Sequence, residues 1–109
     1  MDSIIEFLDA RIAEDETQAR AALATVAPDE WENPAELGNF YPKDIAFWNR
    51  QTPRRVLAEC AAKRVMLSGW QRMVVEHRRA FKVDPPLSPV IGAFAAVYKD
   101  HPDYQQEWA

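Results

Sequence analysis

One cysteine, three glycines and two histidines in 109 residues set the first limits. A single cysteine makes no intrachain disulfide and no cysteine-based zinc cage, and it suits a reducing cytoplasm. Two histidines exclude a multi-histidine metal centre within one chain. The few glycines form no phosphate-cradling loop, and neither a nucleophile elbow nor a His-Glu-x-x-His pair occurs. No apolar run approaches the roughly 20 residues of a membrane span, and the N-terminus lacks the basic start and apolar core of a signal peptide. These absences lead us to expect a cytoplasmic, non-enzymatic protein with no membrane contact and no catalytic residue, cofactor or metal.

The residues that are present suit one globular domain over 1–109. Apolar side chains make up 48% and charged ones 28%, enough to bury a core at this length and too apolar for a disordered chain. The net charge of −4 hides three blocks. Residues 1–49 hold 3 bases and 11 acids, a balance of −8; residues 50–82 hold 9 bases and 2 acids, +7; residues 83–109 hold 1 base and 4 acids, −3. A basic block in an acidic chain either neutralises the acidic segment beside it or forms a surface for an acidic partner or nucleic acid. The sequence pI near 5.1 favours the first, since nucleic-acid modules are usually net basic.

Hydrophobic spacing predicts an all-α, three-helix domain with a long central helix and an aromatic-rich irregular connector. Over 3–26, Ile5, Leu8, Ile12, Ala19, Leu23 and Val26 share one face. Ser3 and Glu6 have the spacing of a capping box, and Pro28 ends the segment. Residues 27–52 carry Pro28, Pro34, Gly38 and Pro42 as punctuation. Trp31, Phe40, Tyr41, Phe47 and Trp48 make them too apolar for a solvated linker. A loop laying aromatics over the helices is expected there, with a helical turn near Asp44–Arg50 and a small hairpin as the alternative.

The helix over 53–82 is the strongest expectation. Thr52 suits the N-cap and Pro53 the first helical position, where a missing amide costs nothing. Val56, Cys60, Leu67, Trp70, Val74 and Phe81 form its stripe, widened by Met66 and Met73. At ~1.5 Å per residue it would span about 45 Å, long for a domain whose radius of gyration is about 13 Å. A bend at Ser68-Gly69, or an end that packs on another chain, follows from that mismatch. Asp84-Pro85-Pro86 breaks the chain, Ser88-Pro89 restarts it, and a third helix over 89–100 carries Val90, Ile91, Phe94, Val97 and Tyr98. His101-Pro102 stops it, and Tyr104 and Trp108 fold a last turn back.

Three stretches carry a family likeness. The first is Phe7-Leu8-Asp9-Ala10-Arg11-Ile12-Ala13-Glu14-Asp15-Glu16 with Ala19-Arg20. The second is Ile45-Ala46 with Pro53-Arg54-Arg55-Val56-Leu57-Ala58-Glu59 and Ala62-Lys63-Arg64. The third is Tyr98-Lys99-Asp100-His101-Pro102-Asp103-Tyr104-Gln105-Gln106-Glu107-Trp108. In this order they resemble a family of small actinobacterial and actinobacteriophage proteins known only as a domain of unknown function. The resemblance implies such an origin, hence a host cytoplasm if phage-encoded, and implies no activity. Similar proteins often carry paired cysteines where this chain has His77-Arg78-Arg79-Ala80-Phe81-Lys82, so no metal role transfers. Seventeen alanines and nine arginines against four lysines fit a GC-rich genome.

Several residues invite chemistry. Glu14-Asp15-Glu16 diverge by about 100° per residue on a helix and cannot converge on one ion. Glu6 and Asp9 make a Glu-x-x-Asp pair without the second pair that a magnesium-dependent pyrophosphohydrolase needs. Asp15 and Lys63 fall on the apolar arcs of their helices, and an unpaired buried charge costs several kcal/mol. We therefore expect Asp15 to pair with Lys63 or Arg64 and to set helix register. Cys60 and His77 read as core residues, and His101 as a cap on the carbonyls of the last helix. Arg54, Arg72 and Arg79 lie within about 20° of one another, with Arg64 and Lys82 about 60–80° round. This ribbon points to pairing with acids of the first helix or to contact with an unidentified protein partner, a second copy of the chain among the candidates, with nucleic acid as the alternative.

Overall fold

A computed structural model describes residues 2–25 and 42–109. Four α-helices follow one another in them: α1 (Asp2–Thr25), α2 (Pro42–Arg50), α3 (Pro53–Phe81) and α4 (Pro89–Ala96), with a 3₁₀ turn at Gln106–Trp108. No strand occurs among the described residues, and the fold class is all-α. The three expected helices are present, and the helical turn expected near Asp44–Arg50 is the nine-residue α2. The expected stop at Pro28, the end at Val26 and the roles of Trp31, Phe40 and Tyr41 lie outside the described residues.

Local chemistry accounts for the boundaries. α1 starts at Asp2, so Ser3 already has helical backbone and leaves the extended geometry an N-cap requires. The expected capping box with Glu6 is not formed. α3 starts as expected: the Thr52 hydroxyl accepts from the Arg55 amide at 3.2 Å. Ser88, extended at φ −62° and ψ 133°, accepts from the Val90 amide at 3.2 Å to open α4. α3 runs unbroken through Ser68-Gly69, and the interruption falls at Gln51-Thr52. Proline disfavours helical backbone in the residue before it, which explains the break there. Glycine in a helix merely costs about 1 kcal/mol and need not break it.

The C-terminal ends are tighter than expected. Lys82 adopts left-handed backbone, φ 62°, and its amide donates to the Arg78 carbonyl at 2.8 Å, closing α3. α4 stops at Ala96 rather than Asp100. From Val97 onward the amides reach back three residues, Tyr98 to Ala95 at 3.0 Å and Lys99 to Ala96 at 3.2 Å. Such bonds make tight turns that do not propagate an α-helix.

The described chain divides into two compact units, Met1–Ile12 with Lys63–Ala109, and Ala13–Ala62. In the first, Ile4, Phe7, Leu8 and Ile12 of α1 are buried, as are Leu67, Trp70 and Val74 of α3. Ile91, Phe94 and Ala95 of α4 and Trp108 complete that core. Each large side chain so buried contributes about 1.5–3 kcal/mol. The second unit contains the rest of α1, α2 and the start of α3, where Ala19, Pro53 and Cys60 are buried. α2 buries none of its residues fully, and Phe47 is 69% exposed.

Candidate functional site

The core-facing side of α3 in the first unit is defined by Leu67, Trp70 and Val74. Val65, Ser68, Arg72, Val75 and Arg79 repeat at spacings of three and four and share a different flank of the helix. All five are exposed, Val65 at 72% and Val75 at 47%. Ser68, Gln71, Arg72, Val75 and Glu76 stand together on this open flank. A groove of ≈ 350 Å³ beside it is lined by Ile5, Glu6 and Asp9 of α1 and by Arg64, Leu67, Ser68 and Gln71 of α3. Ser68 and Gln71 belong to both the groove and the flank.

The basic ribbon divides by what each member does. The Arg64 guanidinium lies 2.9 Å from an Asp9 carboxylate oxygen, which is neutralisation by an acid of the first helix. Arg79 is exposed and within 3.2 Å of Glu76 one turn back. Lys82 is exposed and donates to the Arg79 carbonyl at 3.0 Å, a terminal contact that suits the electronegative end of the helix. Arg72 is exposed and makes no hydrogen bond or ion pair among the described residues. Arg54, in the second unit, is exposed and makes a contact within the chain.

Lys63 has an aromatic environment. Its ammonium donates to the Tyr98 hydroxyl at 3.3 Å and sits 5.5 Å from the Phe94 ring centre and 5.6 Å from that of Tyr98. Two negative ring faces and a hydroxyl therefore hold this half-buried cation. Asp15 is half-buried and makes a contact within the chain. Its pairing with Lys63 or Arg64 would join residues of different units and stays a proposal.

The remaining reactive side chains make contacts within the chain. Cys60 is buried. The His77 ring nitrogen Nδ1 donates to the Val83 carbonyl at 2.9 Å, and its ring lies 4.7 Å from that of Phe81. His101 reaches the end of the last segment through its backbone, its amide donating to the Tyr98 carbonyl at 2.9 Å, while its ring bonds no carbonyl. Its Nδ1 accepts from the Asp103 amide at 3.0 Å, and its ring meets the guanidinium of Arg11. Asp84 receives a hydrogen bond from Arg78, which holds its carboxyl below the usual carboxylate value. Among the described residues no group of three His, Cys, Asp or Glu side chains is placed to hold a metal ion. No described helix is long and apolar enough to cross a membrane.

Arg11 is the residue that sequence reasoning missed. It is 8% exposed, and its guanidinium lies 5.2 Å from the centre of the Phe7 ring. Phe7 in turn packs against Tyr98, His101, Tyr104 and Trp108, with ring centres 5.0–6.3 Å away. The signal was available: Arg11 stands four residues after Phe7 and seven after Ile4, on the arc those residues bury.

The chain belongs to the family described as a family of unknown function, DUF6221, whose model matches residues 1–109. No curated protein and no solved structure matches it. The resemblance seen in three segments therefore holds at the level of a family of unknown function.

Proposed function

We propose that this DUF6221 chain is a small non-enzymatic interaction protein that binds a protein partner through the exposed flank of α3. The observation that carries the reading is the association of Val65 and Val75, exposed at 72% and 47%, with an unengaged Arg72. Apolar side chains beside an unsatisfied guanidinium are the usual ingredients of a binding patch, because arginine combines apolar contact with directional hydrogen bonding. The non-enzymatic part rests on where the reactive side chains are spent: Cys60 in a core, His77 on a carbonyl, His101 against Arg11. The setting we propose is the cytoplasm of an actinobacterium, or of one infected by a phage that encodes the chain. The three resembling segments and the single cysteine of the chain support it.

A second reading, nucleic-acid binding by the same ribbon, is favoured by the exposure of Arg72, Arg79 and Lys82. It is weakened by the commitment of Arg64 to Asp9 and by Glu76 beside Arg79. The test is capture from an actinobacterial lysate with the tagged full chain, with and without nuclease. The expected result is a protein that survives nuclease and is lost with Arg72→Glu and Val75→Glu. Captured nucleic acid, with proteins lost on digestion, would replace the first reading by the second. A captured set identical for wild type and both variants would remove the α3 flank from the function.

A further inference from the structure

The α1–α3 groove and the open α3 flank beside it carry charges of both signs, which decides what kind of partner fits them. Glu6 of α1 lines the groove, is exposed, and makes no ion pair or hydrogen bond among the described residues. Arg72 of α3 stands on the flank and is equally unengaged. Ser68 and Gln71 border both, and Val75 stands beside Arg72. Neighbouring charges are already satisfied within the chain, Arg64 by Asp9 at 2.9 Å and Arg79 by Glu76 at 3.2 Å. What is left over is one carboxylate, one guanidinium and the valines of the α3 flank.

A polyanion would gain Arg72 but meet Glu6, Asp9 and Glu76, and a uniformly acidic helix would be repelled by Glu6 in the same way. A surface with one unsatisfied charge of each sign is complementary to itself. A two-fold rotation exchanges its banks, setting Glu6 of each copy against Arg72 of the other. The same operation brings the small and apolar residues of the two α3 flanks together. Their three-and-four spacing is that of helices packing side by side.

We propose that the partner of this surface is a second copy of the chain, held by two symmetry-related Glu6–Arg72 ion pairs. This rests on the reading that the α3 flank is an interaction surface and names its occupant. It is tested by measuring the mass of the full chain by sedimentation equilibrium from micromolar to about millimolar concentration, at low and high salt. The expected result is a concentration-dependent species of twice the 12.5 kDa chain mass, weakened by salt because the pairs lie at the surface. A monomer throughout overturns the proposal.

Charge reversal then tests the register. Glu6→Arg and Arg72→Glu should each weaken association roughly tenfold or more, by placing like charges in contact. A mixture of the two variants should associate about as tightly as wild type, since arginine at 6 then meets glutamate at 72 at one contact and glutamate at 6 meets arginine at 72 at the other. The double variant should likewise recover. Both positions are exposed, so folding should survive, and helical circular dichroism checks it. Loss in both single variants without recovery in the mixture overturns the Glu6–Arg72 pairing. A monomer that still captures a different protein through Arg72 and Val75 would refute self-association alone. Unchanged mass and unchanged capture in the Arg72→Glu variant would refute the interaction surface itself.

Discussion

The Arg11 guanidinium lies over the Phe7 ring, 5.2 Å from its centre, and the two side chains are 8% and 6% exposed. Tyr98, His101 and Tyr104 meet that ring edge-on and Trp108 at a tilt. One side chain of α1 thus gathers the whole C-terminal turn. Phe7→Ala should destabilise the protein by about 3–5 kcal/mol, the range for a large aromatic removed from a packed core. Phe7→Leu should retain most of the apolar contact and lose chiefly the aromatic pairings, each worth about 0.5–1.5 kcal/mol. Urea unfolding followed by tryptophan fluorescence measures both. Equal costs for the two substitutions would mean that the aromatic pairings and not the apolar contact carry the position, and a Phe7→Leu variant as stable as wild type would mean that aromaticity there is irrelevant.

Lys63 and Tyr98 should be energetically coupled. The ammonium touches the hydroxyl and two ring faces, and partly desolvated cation–π contacts are worth about 0.5–2 kcal/mol. Lys63→Met keeps the stem and removes the charge; Tyr98→Phe keeps a ring and removes the hydroxyl. Tyr98→Leu removes both. The Lys63→Met and Tyr98→Leu cycle should show roughly 1 kcal/mol of coupling, and the cycle with Tyr98→Phe less. If the two cycles give the same value, the hydroxyl alone holds the lysine. The companion proposal, Asp15 with Lys63 or Arg64, is tested by the same kind of cycle, and zero coupling to both bases ends it.

Helices were legible where the determinants are local. Thr52-Pro53 and Ser88-Pro89 set helix starts by side-chain capping and by proline's fixed φ, both readable from adjacent residues. The α3 stripe of Cys60, Leu67, Trp70 and Val74 is buried as its period requires. Phe81, assigned to the same stripe, is 66% exposed. It stands in the last turn before Lys82 closes the helix, where the chain departs and periodicity no longer says what lies alongside. The surface was harder to read for a different reason. Arg64 and Arg72 are both arginines on one helix, and only the placement of Asp9 from another helix makes one neutralised and the other available. Arg11 was overlooked because its charge suggested solvent, although its position in the turn after Phe7 already placed it on the buried arc.

Asp84 supplies a pH-dependent contribution with a defined sign. The hydrogen bond from Arg78 lowers its carboxyl below the ordinary 3.8, with burial opposing only in part. A carboxyl more acidic when folded than unfolded adds stability above its unfolded value, and that stability is lost as pH falls through the folded one. The melting temperature of wild type should therefore exceed that of Asp84→Asn near neutral pH. The difference should shrink as the pH drops below about 3.8. Because the contact is exposed, high salt should reduce it as well. A difference that grows on acidification would contradict the assignment of Arg78 as the cause.

Lys82 offers the opposite case, a residue whose replacement should help. Its φ of 62° lies in the left-handed region, where a side chain with a Cβ is disfavoured by roughly 1–2 kcal/mol and glycine is not. The position is also the one at which glycine commonly terminates helices, and the amide of residue 82 makes the closing bond to Arg78 whatever the side chain. Against the gain stand the lysine's bond to the Arg79 carbonyl, which is exposed and weak, and the greater unfolded-state freedom of glycine. The balance favours Lys82→Gly by about 0.5–1 kcal/mol. For a domain of this size that is an increase of roughly 2–8 °C in melting temperature. Lys82→Ala separates the two terms, since it drops the terminal hydrogen bond and keeps the Cβ. It should therefore be less stable than wild type while Lys82→Gly is more stable. A stabilised alanine variant would place the effect in the ammonium and not in the backbone.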